Sequence, residues 1–166
     1  MILRPERPGE EAEIHAMTNA SFLTVSYGDG TEGQIIDRLR ADGNLALSLV
    51  AVEDDQIVGQ VTLSPATLGD MPVLGLGPIC ARIDRYREGI GSALMHGALG
   101  WAHAQGAQGI RGVVLAGSNL YYPRFGFRFD GGVSYLEIPR PHVHYLMFDG
   151  SDPTGEIVFA PGLQGA

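Results

Sequence analysis

The chain reads as an α/β protein, a mixed β-sheet flanked by helices. Three observations predict it. Two segments with helix-like apolar spacing come first, a β-hairpin follows them, and a strand then turns through glycines into a third helix with another strand directly behind it. At 166 residues the chain suits one domain with a sizeable core.

Taken in order, Leu3 opens a short strand. Residues 10–21 form the first helix, with Ile14, Met17 and Phe22 recurring on one face. Thr31-Glu32-Gly33-Gln34 has the composition of a helix start, and Ile35, Ile36 and Leu39 give the next helix its apolar face. Residues 45–52 and 57–63 are the arms of a hairpin turned by Glu53-Asp54-Asp55-Gln56. Residues 73–83 make the next strand. Gly77-Pro78 sits in its middle, and because proline cannot donate to a ladder, the strand should be bulged or locally unpaired there. A helix over 91–105 carries Leu94, Ala98 and Trp101 on one stripe and is expected to end at Gly106. Residues 110–115 form a further strand, and 120–124 a short helical turn. Residues 127–129, 133–138, 143–148 and 156–159 are the remaining β segments.

Composition narrows the function classes. A hydrophobic fraction of 45% and a charged fraction of 18% are globular values. The net charge of −8, from 11 basic and 19 acidic residues, argues against general nucleic-acid binding, which needs a basic footprint. It suits a cationic acceptor such as an amine. No apolar run approaches the roughly 20 residues that cross a bilayer, so no membrane partner is expected. Met1-Ile2-Leu3-Arg4-Pro5-Glu6 shows no secretory signal. A single cysteine, Cys80, fits a reducing cytoplasm. A homodimer stays open.

The most informative stretch is Asp84-Arg85-Tyr86-Arg87-Glu88-Gly89-Ile90-Gly91-Ser92-Ala93-Leu94. A strand that turns through glycines into a helix presents several backbone N–H groups at the positive end of the helix dipole, a place for a phosphate or diphosphate. Glycines there admit a positive φ and a close anion. A dinucleotide fingerprint would need a third glycine where Leu94 stands, and a P-loop would need Gly-Lys-Ser/Thr, which is absent. A second constellation, Tyr121-Tyr122-Pro123-Arg124-Phe125-Gly126-Phe127, follows the strand that ends near Leu115.

Together these two segments resemble the GNAT superfamily of acetyl-CoA-dependent N-acetyltransferases. Its members carry Q/R-x-x-G-x-G/A on a strand-to-helix turn and a Tyr-x-x-x-Gly-Phe segment further on. Leu76-Gly77-Pro78-Ile79-Cys80-Ala81 looks like the Leu-Gly-Pro strand of a small bacterial single-domain branch. The resemblance runs over about residues 45–129. The chain departs from the pattern at Tyr86, where Gln or Arg is usual, at Ile83 for a common proline, and at Ser118-Asn119 for Asp-Pro.

The resemblance implies a mixed, splayed sheet and acetyl-CoA as cosubstrate, with a primary amine on a small molecule or peptide as acceptor. Backbone at Ile79, Cys80 and Ala81 would pair with the pantetheine arm, and an N–H there would hold the thioester oxygen. Arg87, Glu88, Gly89, Ile90, Gly91 and Ser92 would cradle the diphosphate, with Asn119 or Ser118 on the pantetheine amides. Tyr122 would be the general acid, since a phenol with pKa near 10 is protonated at neutral pH. The general base is open among Glu32, Glu53, His15 and a chain of waters. A cofactor-binding sensor without turnover, and a structural domain without ligand, are the other two function classes.

Other residues take simpler readings. Cys80 reads as a small buried hydrophobe and Trp101 as core. His142 and His144 share a strand face but lack a third ligand for a metal. The run Glu10-Glu11-Ala12-Glu13 reads as favourable charge at a helix start.

Overall fold

A computed structural model describes residues 1–164. Three helices pack on eight strands, β1 (Ile2–Pro5), α1 (Glu11–Phe22), α2 (Gly33–Ala41), β2 (Leu47–Glu53), β3 (Gln56–Leu68), β4 (Met71–Ala81), α3 (Ile90–Ala104), β5 (Gly112–Ala116), β6 (Gly132–Ser134), β7 (Val143–Met147) and β8 (Thr154–Phe159). The main sheet runs β1-β2-β3-β4-β5-β7, with β8 on β3 and β6 on β8. It is antiparallel except for β4–β5 and β6–β8.

Each face of the sheet has its own cover. α3 lays Ile90, Leu94, Met95, Ala98 and Ala102 on one side, against Leu47, Leu49, Val61 and Leu63. Gly59 permits that approach, because a Cβ there would stand 2.6 Å from Ile90 Cγ2 and 2.9 Å from Leu94 Cδ1. On the opposite side, α1 and α2 seat Ile14, Met17 and Ile36 over Val50, Ile57 and Cys80. Beside them β5, β7 and β8 build a second cluster around Tyr145, Ile157 and Phe159. Trp101 sits at the margin of the α3 core, only partly buried.

The hairpin turn is made by Asp54 and Asp55, both left-handed (φ 51° and 59°), as tight two-residue hairpins require. Several sequence-based boundaries shift. β3 continues to Leu68, through Pro65. This is tolerated because β2 pairing ends at Leu63 and β8 pairing begins at Ala66, so Pro65 owes no hydrogen bond on that edge. α3 gives way to a 3₁₀ turn, Gln105–Gln108, and its left-handed stop is Gly109 (φ 94°), not Gly106. Residues 127–129 form no strand, only one bridge between Arg128 and Tyr145.

The expected break in β4 is present. Val61 faces Ile79 while Leu63 faces Leu76, so the ladder slips at Gly77-Pro78. On its other edge β4 pairs with β5 at only two positions, Leu74 with Val113 and Gly75 with Val114. From there the two strands diverge, leaving the remainder of β4 to Ala81 unpaired with β5.

Candidate active site

The cleft opened by that divergence is bounded by the end of β4, the start of α3 and the 3₁₀ turn Tyr122–Phe125. Gly89 precedes α3 in the left-handed region (φ 83°) with nothing within 4 Å of where a Cβ would lie. Arg87 is also left-handed (φ 62°), and no side chain caps the helix start. The first-turn amides of an α-helix have no partner inside it, so those at Ile90, Gly91 and Ser92 are left to an outside acceptor. Ile90 is anchored in the core, which fixes the direction these amides point.

Three arginines and their partners frame the turn. Arg82 is held by Asp84 at 2.6 Å, and Arg85 bridges Glu53 at 3.0 Å and Glu88 at 2.5 Å. Arg87, exposed, has no carboxylate partner among the described residues. Tyr86 turns away from the turn toward α1. Its hydroxyl lies 2.9 Å from Ser21 Oγ and 3.1 Å from Thr24 Oγ1.

The tyrosine segment meets the glycine turn directly. A Cβ on Gly91 would stand 3.0 Å from the Tyr121 hydroxyl, so the two motifs are in contact although they lie 30 positions apart in sequence. Arg124 stacks on the Tyr121 ring at 4.8 Å and donates to its carbonyl oxygen at 3.0 Å. Tyr122 lies over Gly117, where a Cβ would be 2.5 Å from its ring. Edge contacts to Tyr121, Phe127 and His144 fix the ring at centroid distances of 5.0, 6.0 and 5.6 Å. No hydrogen bond among the described residues holds its hydroxyl. Burial pushes the phenol well above its usual range, with smaller contributions from Tyr27 and Tyr121. Tyr122 is therefore a protonated donor with an uncommitted O–H. Asn119 lies half-buried beside it, and Ser118 Oγ accepts from Leu120 N at 3.1 Å.

The structure does not bring the candidate bases into the cleft as free groups. Glu32 accepts from the amides of Asp29 and Gly30, both at 2.9 Å. Arg85 holds Glu53 and lowers its pKa. His15 is clamped between Asp37 at 2.6 Å and Asn19 at 3.0 Å, in the seam between α1 and α2. Cys80 is buried, its thiol raised to about 11 by desolvation, so it is no nucleophile. His142 and His144 converge on the Gly117 carbonyl oxygen, each at 3.2 Å.

Three features escaped the sequence. The loop after α1 brings Tyr27 into electrostatic reach of Tyr86 and Tyr122. His144 packs on Tyr122. Tyr86 joins α1 to the glycine turn. Only Tyr27, the one aromatic in residues 23–32, offered a signal.

A glycine turn at an uncapped helix start, a strand edge stripped of its neighbour and a protonated tyrosine at the rim define the class, an α/β acyltransferase. The profile of the Acetyltransferase (GNAT) family matches residues 12–127, and the chain belongs to that family as an N-acetyltransferase. It is 31% identical over 131 residues to the uncharacterized N-acetyltransferase YhbS of Escherichia coli strain K12, spanning 76% of this chain and 73% of that protein. A GNAT family acetyltransferase from Brucella melitensis, solved with acetyl-CoA, superposes with a TM-score of 0.82 at 37% identity, over 97% of this chain and 96% of the other. The Escherichia coli YhbS structure, solved with CoA, shares the fold with a TM-score of 0.84 at 24% identity, over 97% and 90%.

Proposed function

We propose that this chain, as one domain, transfers an acetyl group from acetyl-CoA to a primary amine on a small molecule or peptide, by direct attack in a ternary complex. The observation that supports the reading is the meeting of the two motifs, where a Cβ on Gly91 would stand 3.0 Å from the Tyr121 hydroxyl. The Brucella melitensis relative, solved with acetyl-CoA, supports the choice of cosubstrate.

The residues divide the chemistry. Amides from Arg87, Glu88, Gly89, Ile90, Gly91 and Ser92 bind the diphosphate. The β5-facing edge of the backbone along Ile79, Cys80 and Ala81, whose other edge is laddered to β3, pairs with the amide-bearing arm, with Asn119 beside it, and one N–H from this edge holds the thioester oxygen. As the amine nitrogen bonds to the carbonyl carbon, charge grows on that oxygen, where a fixed N–H stabilises it more than in the ground state. The C–S bond then breaks and Tyr122 gives its proton to the departing sulfur. With Glu32, Glu53 and His15 each engaged elsewhere, the amine arrives neutral or loses its proton to water.

A buried lone cysteine is the feature behind our placing the enzyme in the cytoplasm. A thermal-shift series with acetyl-CoA and desulfo-CoA, followed by thiol release across an amine panel, tests the whole reading. Stabilisation with turnover is expected. Stabilisation with no thiol release for any amine would instead indicate a cofactor-binding sensor.

A further inference from the structure

Hydrogen bonding between β5 and β7 runs one residue past the end of β5. The Gly117 amide donates to the His142 carbonyl oxygen at 2.8 Å. The Gly117 carbonyl oxygen in turn lies 3.2 Å from both His142 Nδ1 and His144 Nε2. A carbonyl oxygen only accepts, so each of those ring nitrogens must carry a hydrogen. For His144 this fixes the tautomer, with Nε2–H donating and Nδ1 left as a bare lone pair. That Nδ1 is buried with no partner among the described residues, and the whole residue is buried. A second proton would set an N–H where none of those residues accepts it, so the ring stays neutral. Burial lowers its pKa accordingly.

An apolar ring could fill this place, beside Phe129 at 5.4 Å and Tyr122 at 5.6 Å, without leaving a nitrogen orphaned. What the imidazole adds is its bond to Gly117, and Gly117 is the floor under Tyr122. A Cβ there would meet the tyrosine Cε2 at 2.5 Å and its Cδ2 and Cζ at 3.3 Å, so the floor reaches the carbon that bears the hydroxyl. The turn itself grips Tyr122 loosely. The amides of Tyr121 and Tyr122 share the Ser118 carbonyl oxygen, each at 3.4 Å, which is long for such bonds. With no hydrogen bond from a described residue to the hydroxyl, its place is set by the floor and the surrounding rings.

We propose that His144 is a positioning residue for proton transfer, its Nε2–H on the Gly117 carbonyl and its ring against Tyr122 together holding the Tyr122 hydroxyl where it reaches the departing sulfur. This rests on the acetyltransferase reading and on Tyr122 as the acid. His144 touches no reacting atom and gives up no proton; it acts only through Tyr122. In a His144 variant, His142 still holds the Gly117 oxygen, so the turn keeps one of its two ties.

The test is a double-mutant cycle on the full chain, read as thiol release from acetyl-CoA with the best acceptor of the amine panel at saturation. His144→Phe keeps a ring and removes the donor. Its kcat should fall about ten- to a hundredfold, the cost of misplacing a catalytic group by up to about 1 Å. Its KM for acetyl-CoA should stay within about threefold, because no ground-state contact is lost. His144→Gln, which can still present an N–H to Gly117, should recover most of that loss. Gly117→Ala leaves His144 intact and drives a methyl into the Tyr122 ring, so it serves if His144→Phe folds poorly, and its kcat should fall likewise. In a Tyr122→Phe background neither His144→Phe nor Gly117→Ala should lower kcat by more than about twofold, since their effect passes through the missing hydroxyl. A loss that persists in full on Tyr122→Phe, or wild-type kcat in both His144→Phe and Gly117→Ala, overturns the proposal. Wild-type kcat in Tyr122→Phe alone overturns the acid assignment and the proposal with it. Absence of acetyl-CoA binding, or of thiol release with any amine, in the unmutated chain overturns the acetyltransferase reading itself.

Discussion

Tyr122→Phe isolates one oxygen atom. The ring stays packed on Tyr121, Phe127 and His144 at the centroid distances that fix it now. Since none of the described residues holds the hydroxyl, the folded state loses no hydrogen bond among them, and the melting temperature should shift by no more than about 2 °C, a change of a few tenths of a kcal/mol. Cofactor affinity should hold within a few-fold, as the proposed binding through backbone amides requires. Turnover should not hold. A positioned general acid contributes on the order of 10²- to 10⁴-fold, so the barrier should rise by about 3–5 kcal/mol. Burial raises the Tyr122 pKa, so the neutral acid persists upward in pH and kcat should show no falling alkaline limb from this group below about pH 10, the unperturbed phenol value. Steady-state thiol release with a saturating amine, alongside calorimetric titration of CoA into both proteins, measures each quantity. Turnover in Tyr122→Phe within threefold of wild type would remove this residue from proton transfer.

Three further outcomes follow from the packing. Native Cys80, with its thiol raised to about 11, is about one part in a thousand ionised at pH 8, so it should resist a thiol reagent until the protein is unfolded; rapid native labelling would contradict its burial. Gly59→Ala should cost about 1–3 kcal/mol by overpacking and weaken CoA binding by unseating Ile90 at the head of α3, both visible in urea titrations with and without CoA; a neutral substitution would mean α3 can shift freely. Burial holds the His144 pKa below its ordinary value. Below about pH 6.5, the ordinary histidine value, the unfolded chain therefore gains a proton that the folded chain refuses, and stability falls as pH drops further. His144→Asn should flatten that dependence between pH 7 and 5 in urea titrations, and an unchanged slope would exclude His144 as its source.

Local chemistry made much of this fold legible. The apolar runs of β2 and β3, the Asp54-Asp55 turn, the proline in β4 and the glycines ahead of α3 each act within a few residues, and each marked its own element. Both halves of the site were visible for the same reason. What was hidden depends on neighbours distant in sequence. Pro65 lies inside a strand only because two different partners share that edge of β3 and leave a gap opposite it. Gly106 resembles a helix stop, but the chain tightens through a 3₁₀ turn and reverses three residues later, at Gly109. The partners of Tyr86 lie 65 and 62 positions away, so no spacing rule could assign its hydroxyl. The shared aim of His142 and His144 at Gly117 is likewise a property of the β5–β7 ladder.

The cleft exists because β4 loses its neighbour on one edge and slips in register on the other within a few residues of one point. On the β3 side the ladder slips at Gly77-Pro78. On the β5 side pairing ends at Gly75. A buried edge with unmade backbone hydrogen bonds would be costly, at about 1–3 kcal/mol for each orphaned group. Here Gly77, Ile79 and Ala81 along that edge are partly exposed, so solvent serves those groups at little loss. A ligand carrying amides along an extended arm can replace that water one group at a time, gaining fixed geometry without first breaking a protein hydrogen bond. The same point in the chain directs the last residue of β4 toward the glycine turn, so the β5-facing edge and the uncapped start of α3 lie on either side of the 3₁₀ turn Ile83–Arg85, whose Arg85 amide is already bonded to the Arg82 carbonyl oxygen. A mutation that repaired the β4–β5 pairing should therefore stabilise the sheet while weakening cofactor binding, a trade expected where a fold's defect is also its site.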